Sequence, residues 1–398
     1  MSKLPRIVLH PGRDKSVRHR HPLVFSGSIE KWPDLHESPL QSVRSHAGDY
    51  LGVGCFRQGT SLAGRMLWFS DTPESTSFEE WLEGRLVRAV RMRLLLPMDG
   101  DAFRLIMGES DGLPGVTMDR YADLLVVQLS SAFMEERKFI LLDAVLAALE
   151  TQGIRINAVL QRPVPQASSE PGTLKEAAWL KGEPRERQQF KENGLTFWID
   201  FSASQKTGFF LDQRENRSLL ERFARGRHVI NCFCYTAASS VYAARGGAVR
   251  VDSVDVSDSA LAVARDNFRE NGIDPALHGF FEEDVFEYLR KPDIKADLIV
   301  LDPPAFARTK RDLPQAMRGY RDIHRLAISR VQRGGFILTS SCSHPVSEEL
   351  LQKVIFQAAL EAGRNVRIIE KHRNSPDHPA SIFYPEAGYL KGFLLYID

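Results

Sequence analysis

The sequence predicts an α/β protein built on a mainly parallel, doubly wound sheet, preceded by a small β-barrel and a small α+β segment. Three observations lead there. From Gln213 to Asp398, apolar strand-like runs alternate regularly with helical patterns, which is how a parallel sheet covered on both faces is written. From Ile7 to Phe69, short apolar runs are separated by glycine turns. Between Phe103 and about Asp200 the two patterns mix.

In chain order, Ile7-Val8-Leu9, Tyr50 to Gly54 and Leu62 to Met66 are the barrel strands. Ser77 with Glu80 three residues on forms a capping box, and Leu82, Leu86, Ala89 and Val90 continue it as a helix that Pro97 ends. Phe103 to Met107, Leu124 to Leu129 and Ala158 to Gln161 are central strands, and Glu136 to Leu149 is a helix. Pro163 to Gly172 is a loop, and Asn193-Gly194 marks a hairpin. The last part has strands at His228–Cys234, Arg250–Val256, His278–Phe281, Asp297–Leu301, Gly335–Ser341, Val366–Lys371 and Gly392–Tyr396. Its helices are Ala237–Arg245, Ser259–Asn271, Val285–Leu289, Ala316–Val331 and Ser347–Ala362. The domains expected are 1–75, 76–200 and 201–398.

Charge and composition exclude several classes. With 398 residues, 52 Lys and Arg balance 51 Asp and Glu to a net charge of +1, so a polyanion partner must be met by local basic patches. Mean hydropathy is −0.25 and no long apolar run occurs, so no membrane partner is expected. Met1 to Val8 lacks the apolar core of a signal peptide. Four scattered cysteines supply neither a disulfide framework nor the paired spacing of a metal site. A cytoplasmic enzyme or binding protein is the expectation.

In such a sheet the ligand sits beyond the carboxyl ends of the strands. The first strand leads into Phe233-Cys234-Tyr235-Thr236-Ala237-Ala238, a small-residue turn without the glycine pattern that cradles a pyrophosphate. Asp255 ends the second strand, where a carboxylate either accepts both ribose hydroxyls or caps the next helix. A nucleoside without a diphosphate, such as S-adenosylmethionine, fits better. Asp284 either accepts from an adenine amino group or caps its own helix. Asp302-Pro303-Pro304, with Phe306 close behind, fixes a carboxylate and an aromatic at a stiffened strand exit. Ser341-Cys342-Ser343 puts a thiol among hydroxyls at the same edge, the setting a nucleophilic cysteine needs; the other use of such a residue is core packing. Arg308, Lys310 and Arg318 follow the proline turn, with Phe306 and Tyr320 there to stack on bases, and Arg13, Arg18 and Arg20 open the barrel. Both groups are either RNA contacts or solvated faces.

On these residues the chain resembles, from end to end, the bacterial ribosomal RNA large-subunit methyltransferase I family. His10-Pro11-Gly12-Arg13 and His21 to Gly27 are similar to its PUA barrel. Gly108 to Gly115 with Asp119-Arg120-Tyr121 resemble its central domain, and Gln205-Lys206-Thr207-Gly208-Phe209-Phe210-Leu211-Asp212-Gln213-Arg214 is its most specific string. Asp302-Pro303-Pro304 and Ser341-Cys342-Ser343 are similar to its fourth motif and its cysteine motif. The resemblance implies a class I, Rossmann-like methyltransferase domain that uses S-adenosylmethionine to make 5-methylcytidine in large-subunit ribosomal RNA. It implies Cys342 and Asp302 as catalytic residues. Cofactor contacts would be Lys206, Thr207, Phe209, Phe233, Tyr235, Thr236, Asp255, Ser257, Asp284, Asp302 and Pro303. No metal is implied, and a homodimer stands as an option.

The chain departs from the family at two places. Ala237 and Ala238 stand where Gly-Gly is usual, and Ser202-Ala203-Ser204 where a glycine is usual. Two other functions stay open on the residues alone. One is N-methylation of a base at an exocyclic amine or guanine N7, which needs no thiol. The other is an RNA-binding assembly factor without turnover.

Overall fold

The computed structural model describes residues 4–33, 39–71, 77–165, 169–201 and 207–398. They form two compact units. One comprises Met1–Pro97, Phe103–Pro184 and Asp377–Ala387; the other comprises Met98–Ala102, Arg185–Pro376 and Gly388–Asp398.

The first unit opens with a six-stranded mixed sheet in the order Leu23–Phe25, Leu62–Phe69, Tyr50–Phe56, Gln41–Arg44, Arg6–Leu9, Ile29–Lys31. It curls around Ile7, Leu9, Val24, Val43 and Met66 as a half-barrel. The expected capping box is present: the Glu80 amide donates to Ser77 Oγ at 3.1 Å and the Ser77 amide to Glu80 Oε2 at 3.0 Å, starting a helix over Phe78–Leu94. A five-stranded sheet follows, in the order Ala178–Lys181, Ala158–Gln161, Leu124–Leu129, Val116–Tyr121, Ala102–Met107. Arg65, buried in a barrel strand, joins the two parts by donating to Glu109 at 2.5 Å and Glu170 at 2.9 Å.

The second unit begins with a hairpin, Arg187–Glu192 and Leu195–Asp200. Asn193 and Gly194 turn it with φ of 51° and 75°, the left-handed pair a two-residue type I′ turn requires. Then come α1 (Arg214–Ala224), β1 (His228–Cys232), α2 (Ala238–Arg245), β2 (Arg250–Asp255), α3 (Asp258–Glu270), β3 (Gly279–Glu282) and α4 (Val285–Arg290). The chain continues through β4 (Ala296–Leu301), α5 (Leu313–Arg330), β5 (Val331–Ser341), α6 (Glu348–Ala362), β6 (Val366–Arg373) and β7 (Lys391–Ile397). The sheet order is β3-β2-β1-β4-β5-β7-β6. Ladders from β3 to β5 are parallel, and β7 is antiparallel to both its neighbours. Order reverses between β1 and β4, which sets the ligand edge at their carboxyl ends. Ile230, Ile299, Leu301, Ile337 and Leu395 supply a core layer that α5 and α6 cover.

Two expectations needed correction. β1 stops at Cys232, because Phe233 turns left-handed at φ 57°; Cys232 and Cys234 therefore do not alternate within one strand. Helix α1 was not anticipated at all. Among the described residues no helix is long and apolar enough to cross a membrane, and no cluster of His, Cys, Asp and Glu could hold a metal ion.

Candidate active site

The turn after β1 is bent by three non-glycine residues in the left-handed region: Phe233, Tyr235 and Ala237, with φ of 57°, 52° and 57°. Each such residue costs roughly 1 kcal/mol, and a bend of this kind persists only where its surroundings impose it. Here the Tyr235 amide donates to Asp255 Oδ2 at 2.8 Å and the Cys234 amide to the Val254 carbonyl at 3.1 Å. Asp255 Oδ1 accepts from the Ser257 amide at 3.1 Å, so the carboxylate at the end of β2 is aimed by two backbone donors. Ser257 caps α3 through the Ala260 amide, which relieves Asp255 of that task. Thr236 is buried in the same turn, and among the described residues its hydroxyl has no partner. A carboxylate held at a strand end beside an unsatisfied hydroxyl and a half-buried backbone bend has the groups a polar nucleoside would engage.

Ala237 is fully buried. Ala237→Gly is expected to raise stability by about 1 kcal/mol, because glycine occupies the left-handed region without a Cβ clash. A urea midpoint at or below that of the wild type counts against strain at this turn.

The string after the hairpin meets this turn. Tyr235 Oη donates to the Gly208 carbonyl at 3.1 Å, and its ring meets Phe210 edge-on at 5.5 Å. Thr207 and Phe209 are buried; the Phe209 ring packs with Phe190 at 4.8 Å and Phe197 at 5.4 Å, with Arg217 over it. Lys206 lies outside the described residues, as do Ser202 to Gln205. Asp284 is exposed and caps α4, its Oδ1 accepting from the Phe286 and Glu287 amides at 2.8 and 3.1 Å. Asp284 thus caps its helix through Oδ1.

Asp302 and Cys342 follow the adjacent strands β4 and β5 and are both half-buried. Cys342 Sγ lies 4.0 Å from the Pro303 carbonyl, so thiol and proline turn face each other. Gln213 Nε2 donates to Asp302 Oδ2 at 2.8 Å, and Asn216 Nδ2 in turn donates to Gln213 Oε1. The cysteine turn is pinned from below. Tyr320 Oη, on α5, is shared between Ser341 Oγ at 2.9 Å and Ser343 Oγ at 3.0 Å, while the Ala307 amide donates to Ser343 Oγ at 3.2 Å. His324, one turn further along α5, hydrogen-bonds Thr339 at 2.8 Å. Burial pushes its pKa down to about 4, so it stays neutral and structural. The supporting roles of Gln213 and Tyr320 were not read from the sequence: Gln213 meets Asp302 only when β4 arrives beside the quoted string, and Tyr320, expected to stack on a base, is fully buried beneath the cysteine turn.

The basic residues are differently placed. Arg13 is exposed, but Arg18 already donates to Asp14 at 2.6 Å and to Asp49, and Arg20 lies over the Phe383 ring at 5.6 Å. After the proline turn, Asp312 accepts from the Arg308 and Thr309 amides, which holds its carboxyl below the usual range and folds a tight turn. Arg308 and Lys310 project from that turn into solvent. Phe306 packs on Tyr320 at 4.7 Å. Arg318 lines an open groove of about 550 Å³ with Phe286, Arg321 and Arg325.

Comparison with known proteins agrees with this architecture. Residues 111–396 match the profile of an S-adenosylmethionine-dependent methyltransferase family, and residues 7–69 match a PUA-like domain. Proteins of Shewanella denitrificans and Klebsiella pneumoniae, each named ribosomal RNA large subunit methyltransferase I, are 39% identical to the chain, with 98% of each chain covered. A solved S-adenosylmethionine-dependent methyltransferase from Streptococcus mutans shares the fold, with a TM-score of 0.80 at 23% identity, over 98% of this chain and 100% of that one. A second solved structure, a methyltransferase complexed with SAH, gives 0.81 at the same identity and coverage. The carboxylate and hydroxyl beside the β1 turn fit the nucleoside half of such a cofactor. The chain is an S-adenosylmethionine-dependent methyltransferase and belongs to the ribosomal RNA large subunit methyltransferase I family.

Proposed function

We propose that this protein methylates carbon 5 of a cytosine in large-subunit ribosomal RNA through a covalent adduct on Cys342. The carrying observation is the pairing of a half-buried thiol with the Asp302-Pro303 turn on neighbouring strands, Sγ 4.0 Å from the Pro303 carbonyl. Large-subunit ribosomal RNA as substrate follows from the names of the relatives. The PUA-like barrel, Arg13 and Arg20, and the exposed Arg308, Lys310 and Arg318 are the RNA contacts we assign.

Carbon 5 of cytosine is a weak nucleophile, which is why a thiol is needed. The Cys342 thiolate forms a bond to carbon 6, and the electron pair of the 5,6 double bond moves onto carbon 5 and the ring. Asp302, aimed by Gln213, accepts from the amino group of the base or, when protonated, donates to N3 as the adduct forms, and holds the base plane against the thiol. Bound S-adenosylmethionine supplies an electrophilic methyl group to the activated carbon. A base, water or a side chain, takes the carbon 5 proton; its bonding pair restores the 5,6 double bond and the carbon–sulfur pair leaves with the thiolate. Thr236 and Asp255, with Phe233, Tyr235 and Ser257, would seat the cofactor, and Pro303 would close its edge. A paired target base must first be flipped out, which costs a few kcal/mol.

The test is a ribosomal RNA fragment carrying 5-fluorocytidine. Fluorine cannot leave as a proton would, so a covalent complex should persist on a denaturing gel, dependent on S-adenosylmethionine and mapping to Cys342. Methylation of ordinary RNA at a nitrogen, with no trapped complex, would reject the reading.

A further inference from the structure

Lys391 begins β7, directly opposite Ser341 in the antiparallel β5–β7 ladder. Its side chain is buried, and Nζ donates to the Ser343 carbonyl at 2.7 Å and to the Tyr389 carbonyl at 2.8 Å. One of those bonds grips the residue next to the thiol. The ammonium is therefore fixed under the Ser341-Cys342-Ser343 turn by backbone on both sides. Two neutral carbonyls satisfy two of its three N–H groups but do not neutralise its charge. Among the described residues no carboxylate pairs with it, and the titratable group that interacts with it is Cys342.

A buried cation without a counter-ion is costly, and its cost is visible. Burial pushes the Lys391 pKa down to about 8, while Cys342 acts in the other direction. The coupling is reciprocal: a thiolate that favours the ammonium is favoured by it to the same extent. We propose that Lys391 is the positioning residue that ionises Cys342, its ammonium fixed by the Ser343 and Tyr389 carbonyls so that the thiol stands as a thiolate before the base arrives. The thiol proton leaves to solvent, Lys391 keeps all three of its own, and no redox change occurs. The inference rests on the reading of Cys342 as nucleophile and supplies what that reading lacks, since an ordinary thiol with a pKa of about 8.5 is mostly protonated at neutral pH.

The other groups around the turn either oppose ionisation or are silent. Tyr320 on α5 interacts electrostatically with both Cys342 and Asp302, and a carboxylate at the end of the neighbouring strand disfavours a second negative charge in its vicinity. Burial raises the Tyr320 pKa, which keeps its hydroxyl neutral. His324 on α5 and His372 on β6 are each pushed down to about 4 by burial and carry no charge at neutral pH. His344, the next residue but one, is exposed.

The experiment is the pH dependence of iodoacetamide labelling at Cys342, followed by peptide mass spectrometry on the full chain. Cys55, Cys232 and Cys234 are buried and serve as internal controls. The wild type should inflect clearly below pH 8.5. Lys391→Gln keeps two N–H donors for the carbonyls without the charge, and should move the inflection up by about one pH unit or more, a drop of about tenfold in labelling rate at pH 7. Lys391→Arg should retain the low inflection. A wild-type inflection at or above pH 8.5 overturns the proposal whatever the variants do, and so does an unchanged inflection in a folded Lys391→Gln protein. If labelling behaves as expected but the RNA product is an N-methylated base, the Lys391–Cys342 coupling stands and the assigned reaction falls.

Discussion

Cys342→Ala is expected to lower 5-methylcytidine formation by at least about a thousandfold, because no other group can then form the bond to carbon 6. The variant isolates chemistry from structure. Cys342 is half-buried, and the contact of its Sγ with the Pro303 carbonyl is long at 4.0 Å, so its loss should cost less than about 1 kcal/mol of stability. It lies on the turn after β5, whereas the residues assigned to the cofactor, Pro303 apart, lie at the ends of β1 and β2, so affinity for S-adenosylmethionine should stay within about twofold, measured by calorimetry. Cys342→Ser should be nearly as inactive, since a hydroxyl is a far weaker nucleophile at neutral pH. Mass spectrometry of nucleosides from treated RNA reads the outcome. Product at the wild-type rate from the alanine variant would place the chemistry on a nitrogen atom, which attacks a sulfonium methyl without covalent help.

The residues that define this site differ in how readily the sequence shows them. Asp302 and Cys342 stand out because each follows an apolar strand with a distinctive turn, and the parallel order of β4 and β5 makes such turns neighbours. The capping box at Ser77 and the Asn193-Gly194 hairpin were legible for a related reason: their physics is local, complete within four residues. Helix α1 was invisible because the face it buries is not apolar. Arg214, Asn216 and Arg217 lie inward together with Leu219, Leu220 and Ala224, so half of its helical repeat reads as surface. Lys391 was missed for a similar cause. A lysine beginning an apolar strand reads as a solvated end, and only the register of an antiparallel ladder places it under a thiol some 50 positions earlier in the chain. Charged groups whose partners are distant in sequence leave no periodicity behind them.

Glu192→Ala is expected to destabilise the second unit by about 3 to 5 kcal/mol, an effect that follows from the same buried face of α1. Glu192 is fully buried at the end of the hairpin strand. It accepts from Arg217 Nε and Nη2, both at 2.7 Å, and from Tyr242 Oη at 3.0 Å, with Arg214 Nε 3.7 Å away. Burial disfavours the Arg217 charge, yet Glu192 beside it outweighs that penalty and raises its pKa. Without the carboxylate, two buried guanidiniums face each other's field and Arg217 keeps only the weaker pull of Asp212 among the described residues, the costly half of a broken buried pair. Glu192→Gln preserves the shape and one acceptor, and should lose less. The damage should reach the site as well, because Arg217 Nη1 also donates to the Phe210 carbonyl at 2.9 Å and so anchors the segment that carries Gln213 to Asp302. Urea unfolding with an unchanged slope reads the stability loss, and calorimetric titration with S-adenosylmethionine reads the loosened segment. A loss below about 1 kcal/mol in the alanine variant would mean that water reaches Arg217 and that the cluster is not what fastens the hairpin to α1.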